Sequence, residues 1–259
     1  MPLEATMIVI DNSEYMRNGD YAPTRFGAQS EAAITLFQAK VDSNAENTVG
    51  IMTMASKGPE VLVTHTKHVG QIHAALHASS SRIGGVASIP TAIAIAQLAL
   101  KHRQNKNLRQ RVVVFVGSPL EGPNADEHAL VRLAKKLKKN NVAVDVVAFG
   151  DGIEQSGDGG TSILRAFVEA ASSNDNSHYI AVPPGPHFLS DILATSPILA
   201  GDSLIPELAG DAGAAGAGAG GSGAGAGGAA PFDFGIDPSL DPELAMALRM
   251  SLEEEQARQ

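Results

Sequence analysis

Over its first two hundred residues the chain alternates two hydrophobic rhythms. Short apolar runs, mostly β-branched and bounded by Gly, Pro, Asn or Asp, read as strands at 6–10, 48–54, 60–64, 111–117, 142–149 and 178–182. Between them, apolar residues recur every three or four positions. Ala32, Ala33, Leu36 and Phe37 mark a helix over 28–40, and Leu130, Leu133, Ala134 and Leu137 mark one over 125–140. Ile163, Ala166, Phe167 and Ala170 mark a third. The runs VVVFV (112–116) and VAVDVVAF (142–149) are almost continuously hydrophobic, as strands covered on both faces require. The 60–64 strand follows its predecessor after a short link that contains Ser-Lys-Gly-Pro, too brief for a crossover helix, so it should lie antiparallel at an edge. The expected fold is α/β: a doubly wound, mostly parallel six-stranded sheet with helices on both faces. Sites in such folds form at the carboxyl ends of the strands.

Near residue 200 the rhythm stops. From Gly210 to Ala230 every residue is Gly or Ala except Asp211 and Ser222, and ten of the 27 glycines lie there. Without large side chains to bury, this stretch is expected to be a flexible tether. Beyond Pro231 the chain turns acidic and then helical. Asp241 suits an N-cap, Pro242 the first helical position, and Glu243 complements the helix dipole. Leu244, Ala247, Leu248, Ser251 and Leu252 then form one stripe. Its middle is small, Ala247 and Ser251, which lets a flat partner approach closely. The expected organisation is a domain over 1–195, a linker over 196–237 and a helix within 238–259.

Composition narrows the chemistry. No Cys occurs in 259 residues, which excludes disulfides, thiolate metal sites and a cysteine nucleophile. A net charge of -9 argues against nucleic acid or an anionic membrane as the principal partner. The opening MPLEATMIVID has no basic n-region, and the apolar 89–100 stretch is too short to span a bilayer, so a cytoplasmic and nuclear protein is expected.

The first strand delivers Asp11, Asn12, Ser13, Glu14 and Tyr15 to the carboxyl edge. The loop before the central helix brings Ser88 and Thr91, and the fourth strand ends in Gly117-Ser118-Pro119. Other motifs carry less. His73 and His77 have zinc-ligand spacing, but Ala74 stands where a zincin has its Glu. Residues 157–161 are glycine-rich but lack a P-loop Lys. Lys135, Lys136, Lys138 and Lys139 form the solvated face of their helix, a surface that would also suit an acidic partner. No nucleophile or paired-carboxylate arrangement stands out, and no enzymatic activity is expected.

The residues at the carboxyl edge resemble a von Willebrand factor A domain, whose metal site is Asp-x-Ser-x-Ser, a Thr from a second loop and an Asp after the fourth strand. Asp11 and Ser13 match and Thr91 is the corresponding Thr. Tyr15 replaces the second Ser, and no Asp follows Val116. The resemblance therefore implies a degenerate site with neither metal nor other cofactor, leaving Asp11, Asn12 and Ser13 to cap the loop or to dock on a protein. The tail resembles a ubiquitin-interacting motif. Ala247 and Ser251 match its signature pair, Leu244 its preceding hydrophobe and Glu254 its trailing acid, behind a short acidic lead of Asp241 and Glu243. That likeness implies that Glu243, Leu244, Ala247, Leu248, Ser251, Leu252 and Glu254 bind ubiquitin. The two modules together, with the strings VIDNSEYMRNGDY and LALKHRQNKN, resemble the non-ATPase regulatory subunits of the 26S proteasome that act as polyubiquitin receptors. The implied partners are polyubiquitin chains and subunits of the regulatory particle. The rival classes are an integrin-type, metal-dependent adhesion module built on Asp11, Ser13 and Thr91, and a ubiquitin-processing enzyme, for which the missing Cys removes the thiol route.

Overall fold

The computed structural model describes residues 3–153 and 162–200. Six strands form one sheet: β1 (Glu4–Ile10), β2 (Thr48–Thr53), β3 (Glu60–Thr66), β4 (Arg109–Val116), β5 (Val142–Phe149) and β6 (Tyr179–Val182). Their order is β3-β2-β1-β4-β5-β6, with every pairing parallel except β2 with β3. The edge position and reversed direction of β3 agree with the brevity of the link before it. The helices are α1 (Arg25–Ser43), α2 (Val69–Ser80), α3 (Ile89–Lys101), α4 (Glu127–Lys139), α5 (Ile163–Ala171), α6 (Leu189–Ala194) and α7 (Pro197–Ala200).

Alternation along each strand divides the core between the two faces of the sheet. Met7, Val9, Val112, Val114, Val144 and Val146 belong to the cluster that includes Ile93 and Ala96 of α3, Leu130 and Leu137 of α4, and Phe167 of α5. Ile8, Ile10, Ile51, Val113, Phe115 and Val147 belong to the other, with Leu36 and Phe37 of α1, Ile72 and Leu76 of α2, and Leu193 of α6. Three of the helices, α1, α4 and α5, start where a side chain takes up a free backbone donor. Thr24 accepts from the Gly27 amide, Asp126 from that of Ala129 and Ser162 from that of Arg165.

Two expectations change. The 89–100 run is a helix with Pro90 in its first turn, which puts Thr91 on α3 rather than in the preceding loop. Residues 196–200 do not begin a linker: α7 buries Ile198 and Leu199 against the α1 side of the core. The remaining stretch of the expected linker, the 157–161 motif, and the whole 238–259 segment with its ubiquitin-interacting residues lie outside the described residues. His73 and His77 are exposed on the outer side of α2.

At the amino-terminal ends of the strands, charges are buried in alternation. Lys40 Nζ lies 3.0 Å from Glu4 Oε2, and Arg111 Nε lies 3.2 Å from the same oxygen. Arg111 Nη1 meets Asp145 Oδ2 at 2.5 Å, and Asp145 Oδ1 accepts from the His178 amide at 2.9 Å. This accounts for the one carboxylate inside the VAVDVVAF run. Burial works against the charge on Arg111, but Asp145 and Glu4 outweigh it and hold the guanidinium above its ordinary pKa. Arg111→Ala should therefore cost about 3–5 kcal/mol in urea unfolding, since it removes the cation shared by two buried carboxylates and leaves each with only part of its compensation. Arg111→Lys should recover only part of that loss, because an ammonium lacks the planar fork that meets both.

Candidate functional site

The direction in which the strand order grows reverses between β1 and β4, and the crevice of a doubly wound sheet opens at that reversal. Asp11 follows β1 and Gly117 follows β4, so the two meet there. Asp11 is 0% exposed. Its Oδ1 accepts from the Ser13 amide at 2.8 Å, a local turn, and its Oδ2 accepts from the Gly117 amide at 3.2 Å. Gln29 of α1 closes the Asp11 backbone from the other side: the Asp11 amide donates to Gln29 Oε1 at 2.9 Å, and Gln29 Nε2 donates to the Asp11 carbonyl at 2.8 Å.

Asn12 fastens the neighbouring loops. Its Oδ1 accepts from the Ala55 amide at 2.9 Å and its carbonyl from the Gly84 amide at 2.8 Å, while Nδ2 donates to the Arg82 carbonyl at 3.3 Å. Gly85, at φ +75°, sits so close to Ser56 that a Cβ would fall 2.4 Å from its carbonyl oxygen, so only glycine fits. The Ser13 hydroxyl is buried and has no hydrogen-bond partner among the described residues.

Asp11, Asn12 and Ser13 are thus all buried, and the sequence-level picture of them as a direct docking surface changes. They hold the rim from inside. The rim's outer surface comes from the next turn, Glu14–Arg17, and from the 82–86 loop, joined where Arg17 donates to Glu14 at 2.9 Å and to the Ile83 carbonyl at 2.8 Å. Tyr15 (40% exposed) and Val86 (76% exposed) are the large apolar side chains on these two segments that face solvent.

A divalent cation does not fit this arrangement. Both Asp11 oxygens already accept from backbone amides. Gly117 occupies the place after the fourth strand, and a Cβ there would lie 2.7 Å from Met16 Sδ and 2.8 Å from the Phe149 ring, so no second carboxylate can stand at that point. The buried neighbour is a thioether, where a hard cation needs oxygens. The Thr91 hydroxyl accepts from Ser88 at 2.8 Å in the first turn of α3. Among the described residues no group of three or more His, Asp or Glu is arranged to hold a metal.

Sequence reasoning missed the cation at this site. Arg25, 4% exposed, donates through Nη1 to the Gly117 carbonyl at 2.9 Å and to Asp151 Oδ2 at 2.8 Å. Its Nε and Nη2 grip both Asp20 oxygens at 2.7 and 2.8 Å. Tyr21 completes the wall: its hydroxyl donates to the Val182 carbonyl and accepts from the Gly150 amide, and its ring meets Phe149 edge-on at 5.6 Å. Two signals pointed this way. An Arg at the first position of a helix opposes the dipole and needs another reason to be there. Gln29 interrupts the apolar stripe of α1.

With that geometry in place, the class is settled: a von Willebrand factor type A domain model matches residues 6–119. The crystal structure of the SpRpn10 VWA domain matches at TM-score 0.68 and 47% identity, covering 76% of this chain and 96% of that one. The 26S proteasome regulatory subunit RPN10 of Saccharomyces cerevisiae is 50% identical, over 99% of this chain and 90% of its own length. The 26S proteasome non-ATPase regulatory subunit 4 homolog of Arabidopsis thaliana is 51% identical over all of this chain, which spans 62% of that longer protein. The chain belongs to this family, that of 26S proteasome non-ATPase regulatory subunit 4 or Rpn10.

Asp11→Ala leaves the amides of Ser13 and Gly117 without their acceptor, and should lower unfolding free energy by about 2–4 kcal/mol. Asp11→Asn, which keeps one acceptor oxygen, should lose less. The Arg25 hydrogen bonds hold the Asp20 carboxyl below its ordinary value of 3.8, against a smaller opposing push from burial. A lowered carboxylate stabilises the fold above that ordinary value, and the contribution disappears as pH falls through the folded-state value. Thermal melts at pH 7 and at successive points below pH 4 should therefore show Asp20→Asn losing its difference from the parent chain as the pH drops.

Proposed function

We propose that this chain is a polyubiquitin receptor of the 26S proteasome regulatory particle, working by binding and not by catalysis, in cytoplasm and nucleus. The observation that carries the reading is the tail pattern, Glu243, Leu244, Ala247, Leu248, Ser251, Leu252 and Glu254, in a chain that aligns over its whole length with a named proteasome subunit. In this reading Ala247 lies against the apolar patch of ubiquitin, flanked by the three leucines, and Ser251 hydrogen-bonds to it. The domain docks on the regulatory particle through the rim that Asp11, Asn12 and Ser13 hold together, with Tyr15 and Val86 as its apolar contacts.

A single short helix covers less than a standard protein interface of roughly 1,200–2,000 Å² of buried surface, so one ubiquitin is held weakly. Several linked ubiquitins gain affinity because each further engagement is intramolecular. A Gly/Ala tether of about 30 residues, behaving as a coil, has a reach on the order of 30 Å, enough to let the motif search for a chain.

Co-purification with proteasome and pull-down of polyubiquitin, both with the full chain, separate the two halves of the reading. Ala247→Arg with Ser251→Arg should abolish polyubiquitin capture and leave proteasome association intact. Tyr15→Arg with Val86→Asp should do the reverse. Undiminished polyubiquitin capture by the tail variant overturns the receptor assignment, and undiminished proteasome association by the rim variant overturns the docking face.

A further inference from the structure

At the amino-terminal edge of the sheet, α3, α4 and the start of β4 enclose a cleft of about 840 Å³. Its charged lining is Lys101, Arg103, Lys106 and Lys136, joined by His102, and no carboxylate lines it. The local sequence has the same bias: between Lys101 and Lys139 the acids are Glu121, Asp126 and Glu127, against ten Lys and Arg. None of the four cations forms an ion pair among the described residues. Arg103 is held rigidly, donating to the carbonyls of Leu100 (3.1 Å), Lys106 (2.7 Å) and Leu108 (3.1 Å), so part of the positive wall is preorganised.

The cleft also has an apolar side. Leu98 is 56% exposed and lines both it and an adjoining, mainly apolar trough of about 320 Å³ walled by Val61, Ile95 and Ala99 with Thr64, His65 and His102. The carbonyl ends of α3 and α4 favour nearby cations and account for some of the lysines. They do not account for a leucine left in water between those cations and an apolar trough.

We propose that this cleft receives an acidic amphipathic helix of a partner protein. Its apolar side chains cover Leu98 and enter the trough, and its carboxylates meet Lys101, Lys106 and Lys136. The pairing follows from charge complementarity: four cations line the cleft without a carboxylate among them. A nucleic acid fits less well. No Phe, Tyr or Trp lines the cleft, His102 being its one ring that could stack on a base, and the chain carries a net charge of -9. A small anion would leave the trough uncovered. The surface is separate from the Asp11 rim, so the inference does not rest on the docking face proposed above.

The test is fluorescence anisotropy with the full chain and a labelled peptide carrying Glu and Leu at helical spacing, alongside labelled polyglutamate and single-stranded RNA. The amphipathic peptide should bind at least about tenfold tighter than polyglutamate, the difference expected when one or two leucines are buried. Lys101→Glu with Lys136→Glu should weaken it by on the order of tenfold or more, and Leu98→Ser by several-fold. These side chains are exposed, and an unchanged melting curve verifies that the variants fold. Equal binding of polyglutamate, preference for RNA, or affinity unaffected by either variant would each overturn the proposal.

Discussion

The head of the sheet is organised around one peptide group. Gly117 gives its amide to the Asp11 carboxylate and its carbonyl to the Arg25 guanidinium, while its Cα lies against Met16 and Phe149. An anion and a cation thus reach the same backbone unit from β1 and from α1, at the point where the sheet changes direction. Neither is left alone in a dry site. Asp11 also takes the Ser13 amide, and Arg25 is gripped by Asp20 and Asp151. Burying an unpartnered charge is costly, so each of these contacts constrains the others. The loops after β1, β4 and β5 are tied into one unit as a result, and Asn12 extends the tie to the loops after β2 and α2.

That arrangement also explains why the domain keeps the outline of a metal-binding fold without its chemistry. A hard cation at this place would need carboxylate and hydroxyl oxygens turned outward. Here the carboxylate is turned onto backbone amides and the second acidic position is sterically closed. Of the three residues that match the metal-site pattern, Asp11 is bound to two amides and Thr91 to Ser88, while the Ser13 hydroxyl is buried with no hydrogen-bond partner among the described residues. The rim is therefore a mechanical platform, stiff because its polar groups are spent on one another.

Much of the architecture was legible in the residues. Unbroken apolar runs implied strands covered on both faces, and a short link implied that β3 must turn back on β2. Other features were not legible, for identifiable reasons. A carboxylate at the end of a strand reads the same whether it faces water or an amide, and the amide that decides the matter is 106 positions away. The helix α7 has four residues, too few for a repeating stripe, so by pattern alone the whole of it falls within the expected linker. Arg25 could have been flagged by its position at a helix start, but its partners Asp20, Gly117 and Asp151 come together only through the fold. For the tail, the pattern of residues is the whole of the information.

The reversed strand β3 has a topological effect that reaches the rim. Parallel strands joined by single helices return the chain to the carboxyl edge once per unit. Adding one downward strand changes the parity: the chain now arrives at the base after β3 and needs α2 to climb back before α3 can descend to β4. The extra ascent ends in the 81–88 segment, a corner between two helices where a simple crossover has none. Asn12, Arg17 and Ser56 anchor to that corner, and Val86 projects from it. The apolar feature of the rim that stands furthest into solvent thus exists because one edge strand runs the wrong way.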